Sequence, residues 1–225
     1  MPNQLLRLVV LDCDGTMVDS LTTIVNTIRE TFIKNGLEPP QPGQVRQIVG
    51  LHLGDAIKVL VSKEDIHLID TLVNTYREVV SNYRTAGHRE DPLYPDAKDT
   101  IQTLDADGWL LGVATGKSMK GLDTVLQFHE LRHHFSTTQT SDIGPGKPAP
   151  DMLRRAMLET GIEPKNTVMI GDTSFDMEMA VNAGTHAIGV SWGYHDEDKL
   201  IAAGAHFIIH RYTELFDALE KLFAQ

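Results

Sequence analysis

Two aspartates separated by one residue follow a short hydrophobic run near the start of the chain. The run LVVL occupies residues 8–11, and Asp12 and Asp14 come directly after it. At the end of a β-strand, residues i and i+2 project to the same side, so both carboxylates can reach one small volume. Two bare anions repel each other there, and Mg²⁺, which prefers hard oxygen ligands, would relieve the repulsion. Taken alone, the pair is better explained as an acidic turn.

Two further segments have residue types that suit a phosphate group. Gly15 permits an unusual backbone turn that leaves main-chain N–H groups open to an anion. The stretch LLGVATGKS places Thr115 and Gly116 at a strand-to-helix junction, where a hydroxyl and helix N-terminal amides can bind phosphate oxygens. Together with the aspartate pair, these residues predict a metal-assisted phosphate site.

The second half of the chain offers a cation and two more carboxylates. Lys147 lies in the proline- and glycine-rich segment GPGKPAPD, which predicts a rigid loop with a fixed positive charge. In IGDTSFD, Asp172 follows another hydrophobic run and Asp176 comes four residues later. We expect these two aspartates to complete the magnesium site.

The elements that must position these residues alternate between short hydrophobic runs and helical patterns. The runs are LLRLVVL, WLLGVAT, TVMIGD, HAIGVSW and HFIIH. Runs of this kind, separated by amphipathic segments, predict strands of a parallel sheet that is buried on both faces. Ligands of such sheets bind at the carboxyl ends of the strands, where the aspartates and Thr115 fall. The predicted fold is therefore an α/β, Rossmann-like, doubly wound parallel sheet.

One region departs from this alternation. Residues 19–85 show only helical periodicity, with Ile66, Tyr76 and Tyr83 among the positions that follow three-four spacing. Pro39, Pro40 and Pro42 predict a loop within it. We therefore predict a core domain formed by residues 1–18 and 86–225, and an inserted all-helical domain formed by residues 19–85. Two domains joined by two connections can open and close.

With four motifs in this order, the sequence resembles the haloacid dehalogenase superfamily. DCDGT is similar to the first motif of the family, Thr115 to the second, Lys147 to the third and GDTSFD to the fourth. The helical insertion resembles the mobile cap of that family. The tail GVSWGYHDEDKLIAAGAHFII is similar to phosphoglycolate-phosphatase-like members, although an aspartate is more common there at the position of His206.

The resemblance implies a mechanism. Asp12 would be the nucleophile that forms an aspartyl phosphate, and Asp14 would protonate the leaving group and then activate water. Mg²⁺ would be bound by a carboxylate oxygen of Asp12, the backbone carbonyl of Asp14, and Asp172, with Asp176 as support. Thr115 and Lys147 would stabilise the charge of the transferred phosphoryl group.

The resemblance also separates the possible reactions. Dehalogenases of the superfamily lack an acid–base aspartate at the position of Asp14, and the lysines of the insertion lie in ordinary helical contexts, which disfavours phosphonate cleavage. Mutase-like members have a histidine shortly after the first motif, and LTTIVNTIRE has none. Hydrolysis of a small, phosphoglycolate-like phosphate monoester is favoured. A phosphomutase, an inorganic pyrophosphatase and a non-catalytic phosphometabolite-binding protein remain alternatives.

Three other patterns resemble functional motifs or reactive residues, but none of them indicates a second activity. GVATGKS lacks one residue of the P-loop spacing, so Lys117 is predicted to be a solvated residue near the phosphate site that helps to bind substrate. HELRH, beginning at His129, resembles a zinc signature, but it is predicted to lie at the end of a helix and so to be a chance match. Cys13 is predicted to point into the core.

The residues of the insertion that determine substrate specificity are harder to predict. Glycines flank His52, which we predict to contact substrate, and Arg46 is a weaker candidate for the same role. The apolar face from Ile66 to Tyr83 is interpreted as packing within the insertion rather than as a ligand groove.

Composition limits the partners and the location. Twenty Lys and Arg against 31 Asp and Glu give a formal net charge of −11, which disfavours binding to nucleic acid or to an anionic membrane. A single cysteine and the absence of a long apolar segment predict a cytoplasmic protein. We expect a monomer or homodimer.

Overall fold

A six-stranded parallel sheet forms the centre of the molecule. The computed structural model describes residues 6–85 and 90–224, and for Arg84 it describes the main chain alone. The strands are β1 (Leu8–Leu11), β2 (Leu110–Thr115), β3 (Thr137–Thr140), β4 (Thr167–Gly171), β5 (His186–Val190) and β6 (Phe207–Ile209). Their order across the sheet is β3-β2-β1-β4-β5-β6. The predicted α/β fold with a doubly wound parallel sheet is confirmed.

Strand β1 is buried on both faces, which explains its uninterrupted apolar sequence. Val9 and Leu11 contribute to one hydrophobic cluster and Leu8 and Val10 to another, and all four are fully buried. Successive side chains of a strand point to opposite faces, so a strand between two helical layers needs apolar residues at every position.

Helices cover both faces of the sheet. They are α5 (Ala97–Ala106), α6 (Met119–Phe128), α7 (Asp151–Thr160), α8 (Ser174–Ala183), α9 (Glu197–Ala202) and α10 (Leu215–Phe223). Helices α5, α6 and α10 pack with Val9 and Leu11, whereas α7, α8 and α9 pack with Leu8 and Val10. Within the described part of the chain, no helix is long and apolar enough to cross a membrane.

The edge strand β3 was not among the predicted strands. Its sequence TTQT contains no apolar residue, so it has no hydrophobic run to detect. Its polar side chains are instead satisfied inside the protein: Thr137 donates to Glu159, and Gln139 accepts a hydrogen bond from Arg155 at 2.8 Å. Among the described residues, strand β3 pairs with β2 alone, and Thr137, Gln139 and Thr140 are buried.

The described part of the inserted region contains four α-helices and a short 3₁₀ helix (Ile66–Leu68), with a hydrophobic cluster of its own. The α-helices are α1 (Leu21–Lys34), α2 (Pro42–Arg46), α3 (Leu53–Leu60) and α4 (Ile69–Thr85). Fully buried residues such as Ile28, Ile57 and Leu72 form a core that is separate from the two sheet clusters. We call residues 19–85 the cap. Its boundaries remain a prediction, because residues 86–89, which follow its predicted end, lie outside the described residues.

The proline cluster is only partly a loop. Pro39 and Pro40 lie between helices, but Pro42 is the first residue of α2, where its missing N–H leaves no helical hydrogen bond unmade. The expectation that all three prolines lie in one loop is therefore wrong for Pro42.

Candidate active site

Strand pairing brings Asp12 and Asp172 together. Leu11 of β1 is in register with Ile170 of β4, and the backbone N–H of Asp12 donates to the Ile170 carbonyl at 2.9 Å. Each aspartate follows the carboxyl end of one of these two adjacent strands. Since β1 lies between β2 and β4, where the strand order reverses direction, the site occupies the crevice that doubly wound sheets use for ligands.

Lys147 lies between two of the acidic groups. Its Nζ is 2.8 Å from Asp12 Oδ1 and 2.6 Å from Asp176 Oδ1, and all three side chains are buried. Burial alone would lower the pKa of Lys147, but the two carboxylates raise it above its ordinary value. Burial raises the pKa of Asp12 to about 7 even though Lys147 opposes the shift. Lys147 therefore stays charged and partly offsets the carboxylates.

The position of Asp176 follows from the start of helix α8. Its Oδ2 accepts from the backbone N–H of Thr173 at 3.0 Å and from the Thr173 hydroxyl at 2.6 Å, in a capping box. Its Oδ1 pairs with Lys147. Both oxygens of Asp176 are thus engaged by protein groups, which suits a supporting role at the edge of the cluster.

Asp172 is held by two donors. Thr16 donates to its Oδ1 at 2.8 Å, and the backbone N–H of Tyr194 donates to its Oδ2 at 2.9 Å. Burial raises the pKa of Asp172 well above its ordinary value, and the nearby charges of Asp176 and Asp12 add to the rise. The protein alone therefore leaves the negative charge of this cluster incompletely compensated.

The acidic cluster fits a divalent cation. Ligand atoms of Asp12, Asp172 and Asp176 lie within 4.8 Å of one another. Asp12 Oδ2 is buried and has no hydrogen-bond or ion-pair partner among the described residues, an arrangement that is costly unless another group compensates it. A hard cation bound by carboxylate oxygens would satisfy this atom and lower the repulsion.

Asp14 has a different environment, formed partly by residues that were not predicted. Its Oδ1 is 2.7 Å from Lys117 Nζ and also accepts a hydrogen bond from the Ser20 hydroxyl. The Ser20 Oγ is in turn 3.2 Å from the hydroxyl of Tyr194. Sequence reasoning found Lys117 but not Ser20 or Tyr194, since neither belongs to a recognisable pattern and Tyr194 is 180 residues away from Asp14 along the chain.

Gly15 allows this compact turn. Its φ is +82°, and a Cβ added to it would lie 2.2 Å from Asp172 Oδ2 and 2.7 Å from Cε2 of Tyr194. The Gly15 N–H donates to the Val18 carbonyl at 2.8 Å. The glycine is therefore needed both for the backbone conformation and for the close approach of Asp172.

The loop after β2 forms the opposite wall. Thr115 is buried, and its hydroxyl accepts a hydrogen bond from the Lys117 N–H at 3.3 Å. A Cβ on Gly116 would lie 2.8 Å from the Leu51 carbonyl, so the cap is in close contact with this loop. Asp12, Asp14, Thr115, Gly116 and Lys117 all line the same cavity.

This cavity lies between the cap and the core and has a volume of about 750 Å³. His52 lines it from the start of α3, and its Nδ1 accepts from the Gly54 N–H at 3.3 Å. Tyr76, Val80 and Tyr83 of α4 line it as well. The interpretation of that apolar face as cap packing is confirmed for Tyr76, which packs against the cap cluster, but all three side chains line the cavity as well.

Arg46 does not line this cavity. Its guanidinium donates to two main-chain carbonyls of the core, Tyr194 O at 2.6 Å and Gly193 O at 3.0 Å. It joins the cap to the core instead of facing the substrate space.

Two sequence patterns have structural explanations. The segment HELRH follows the last residue of α6, Phe128, so its histidines do not lie on one helix, and the ring nitrogen of His129 hydrogen-bonds the Asp91 carbonyl at 2.9 Å. Cys13 is fully buried in the hydrophobic cluster that contains Val9 and Leu11, as predicted.

Residues 9–190 match the family model described as haloacid dehalogenase-like hydrolase. The chain belongs to this family. It is 29% identical to a phosphoglycolate phosphatase from Vibrio vulnificus, over 97% of this chain and 98% of that protein. It is 30% identical to a protein from Dickeya dadantii named probable phosphatase IndB, over 96% of this chain and 94% of the relative.

The architecture is also similar to solved structures of the family. A haloacid dehalogenase-like hydrolase from Streptococcus pneumoniae superposes with a TM-score of 0.83 at 26% identity, covering 95% of this chain and 98% of that one. The sequence resemblance to the haloacid dehalogenase family is thereby confirmed, including the helical cap on a Rossmann-like core.

Proposed function

We propose that the protein is a Mg²⁺-dependent phosphatase that hydrolyses small phosphate monoesters through a phosphorylated Asp12. The observation that carries this proposal is the buried cluster of Asp12, Lys147, Asp172 and Asp176, placed beside Asp14 at the switch point of the sheet. Burying three carboxylates together lowers the stability of the fold. Such a cluster is expected where the carboxylates bind a metal ion and take part in phosphoryl transfer. The relatives that are named phosphatases support the same reaction class.

In the first step, a carboxylate oxygen of Asp12 attacks phosphorus and the bond to the leaving oxygen breaks. Asp14 gives its proton to that leaving oxygen, which departs as an alcohol. Lys147, already 2.8 Å from Asp12, reduces the repulsion between this carboxylate and the incoming phosphate. Bound Mg²⁺, held by Asp12, Asp172 and the backbone carbonyl of Asp14, would supply further charge compensation.

In the second step, Asp14 takes a proton from a water molecule whose oxygen attacks phosphorus. The bond between phosphorus and Asp12 breaks, so phosphate is released and both carboxyl groups return to their starting states. Thr115 and Gly116 line the cavity, and the Thr115 hydroxyl and the Gly116 N–H would donate to the phosphoryl oxygens.

Lys117 connects substrate binding to this chemistry. It pairs with Asp14 at 2.7 Å in the structure, and it faces the cavity. A phosphate oxygen of the substrate would compete for the same ammonium group. Substrate binding would thus release Asp14 from its ion pair and leave its carboxyl group free to face the leaving oxygen.

The substrate we would test first is phosphoglycolate, as the resemblance suggests. The cavity of about 750 Å³ is within the usual range for sites of small organic ligands and is larger than glycolate requires. A panel should therefore include sugar phosphates and other larger monoesters. The cytoplasm is the proposed location, because the single buried cysteine and the acidic net charge suit a reducing, soluble environment.

The decisive assay is release of phosphate from p-nitrophenyl phosphate and from the panel, with Mg²⁺ and with EDTA. The wild-type protein should be active only with the metal, and Asp12→Asn should lose activity. Equal phosphate release by the two proteins would exclude Asp12 as the nucleophile. Interconversion of sugar phosphates without net release would identify a phosphomutase, and hydrolysis of pyrophosphate alone a pyrophosphatase. Binding without turnover would favour the non-catalytic alternative.

A further inference from the structure

The segment that follows strand β5, residues 191–195, contacts both kinds of acidic group in the site. The backbone N–H of Tyr194 donates to Asp172 Oδ2 at 2.9 Å. The Tyr194 hydroxyl lies 3.2 Å from Ser20 Oγ, and Ser20 donates to Asp14 Oδ1. Tyr194 therefore contacts Asp172, a candidate metal ligand, through its main chain. Its side chain is linked through Ser20 to Asp14, the candidate acid.

The cap holds the same segment from the other side. Arg46, the last residue of α2, donates from Nε to the Tyr194 carbonyl at 2.6 Å and from Nη2 to the Gly193 carbonyl at 3.0 Å. The next cap residue, Gln47, accepts from Lys199 at 2.5 Å, and its carbonyl is 3.3 Å from His195 Nε2. A guanidinium that bonds two successive carbonyls fixes both distance and direction.

Close packing leaves this segment little freedom to move independently of the acids. A Cβ on Gly193 would lie 2.1 Å from the Asp172 Cβ, and one on Gly15 would lie 2.7 Å from the Tyr194 ring. Tyr194 is also only 2% exposed. A displacement of the Tyr194 backbone would therefore be transmitted to Asp172 and to the turn that contains Asp14.

We propose that Tyr194 is a positioning residue for Asp14, and that Arg46 links its placement to the seating of the cap on the core. The Ser20 hydroxyl, held by Tyr194, keeps Asp14 directed towards the leaving group. Arg46 keeps the Tyr194 backbone where it can do this and where it also donates to Asp172. This inference rests on the phosphatase function proposed above.

Tyr194→Phe isolates the side-chain part of the proposal, because it removes one buried hydroxyl and keeps the ring. Two substrates report on the acid separately: glycerol phosphate, whose alkoxide leaving group needs a proton, and p-nitrophenyl phosphate, whose leaving group does not. We expect kcat for glycerol phosphate to fall about tenfold, the rate equivalent of one hydrogen bond. We expect KM for both substrates and kcat for the aryl ester to stay within about twofold.

Tyr212→Phe is a matched control. Tyr212 is equally buried, and its hydroxyl donates to the Thr16 carbonyl at 2.9 Å, so the variant also loses one buried tyrosine hydrogen bond. Its ratio of alkyl to aryl turnover should equal that of the wild type.

Arg46→Gln tests the link to the cap. It should reduce the alkyl-to-aryl ratio in the same way and weaken Mg²⁺ binding about tenfold by calorimetry without substrate, since it loosens the support of Asp172. In the double variant with Tyr194→Phe, the ratio should fall no further than in the more impaired single variant, as expected for residues that act in one chain of contacts.

Three results would overturn the inference: equal loss on both substrates, independent and multiplicative losses in the double variant, or unchanged Mg²⁺ affinity in Arg46→Gln. Each leaves the phosphatase proposal standing, because the wild type still turns over both esters. A wild-type protein that hydrolyses neither ester would instead refute the phosphatase proposal, and this inference with it.

Discussion

Asp12→Asn should stabilise the metal-free protein at neutral and alkaline pH. The wild-type side chain is buried, one of its oxygens lacks a partner among the described residues, and its pKa is raised to about 7, chiefly by burial. The amide has nearly the same shape but no negative charge. The substitution therefore removes a buried charge that repels Asp172 and Asp176, while Lys147 keeps its pair with Asp176.

The sign and the size of the effect follow from proton linkage. A carboxyl whose pKa is higher in the folded state stabilises the fold fully below its unfolded pKa of 3.8, and this contribution is lost as the pH rises to about 7. At about 1.4 kcal/mol per pH unit, the rise from 3.8 to about 7 corresponds to about 4 kcal/mol. The advantage of the variant should grow by an amount of this order between pH 4 and pH 8.

The assay is urea unfolding in EDTA across this pH range, with Asp107→Asn, at an exposed position, as the control. The free energy of unfolding of Asp12→Asn should exceed that of the wild type increasingly as the pH rises, and the control should follow the wild type. Mg²⁺ at millimolar concentration should stabilise the wild type at pH 8 more than the variant. A pH-independent difference, or a less stable Asp12→Asn at pH 8, would refute the assignment of Asp12 as a costly buried charge.

Two glycine substitutions test the positioning of the site, and a substitution of a buried leucine tests the core of the cap. Gly15→Ala puts a Cβ at φ +82° and 2.2 Å from Asp172 Oδ2, so we expect about a hundredfold lower kcat and weaker Mg²⁺ binding by calorimetry. Gly116→Ala brings a Cβ within 2.8 Å of a cap carbonyl and should lower kcat/KM about tenfold, whereas Gly43→Ala, with no atom within 4 Å, should not. Leu72→Ala, in the buried cap cluster, should cost about 2–5 kcal/mol in urea unfolding and increase amide exchange in α1 and α4; unchanged exchange would argue against a separate cap core.

The sheet strands that the sequence predicted are those that bury apolar residues. Strands β1, β2, β4, β5 and β6 each contain a hydrophobic run, because side chains on both faces contact helices. Strand β3 has no such run, and its position depends on pairing with β2 and on hydrogen bonds to helix α7. A local pattern cannot report contacts that exist only after the chain has folded.

The same distinction applies to the site. Asp12, Asp14, Thr115, Lys147 and Asp172 were predicted because each has a residue type with recognisable chemistry at a strand end or in a rigid loop, and the family motifs specify their order. Their roles in catalysis remain predictions. The structure shows that the carboxylates of Asp12, Asp172 and Asp176 and the ammonium group of Lys147 lie together in one buried cluster.

Only the tertiary structure decided which residues support these groups. Ser20 and Tyr194 meet beside Asp14, and Arg46 reaches the carbonyls of residues 193 and 194, although the partners are separated by roughly 150 residues or more along the chain. The residue type of a tyrosine or an arginine is compatible with packing, substrate binding or support of another side chain. Which of these roles a side chain has depends on its distances to other groups in the folded protein. The sequence contains no local signal for those distances.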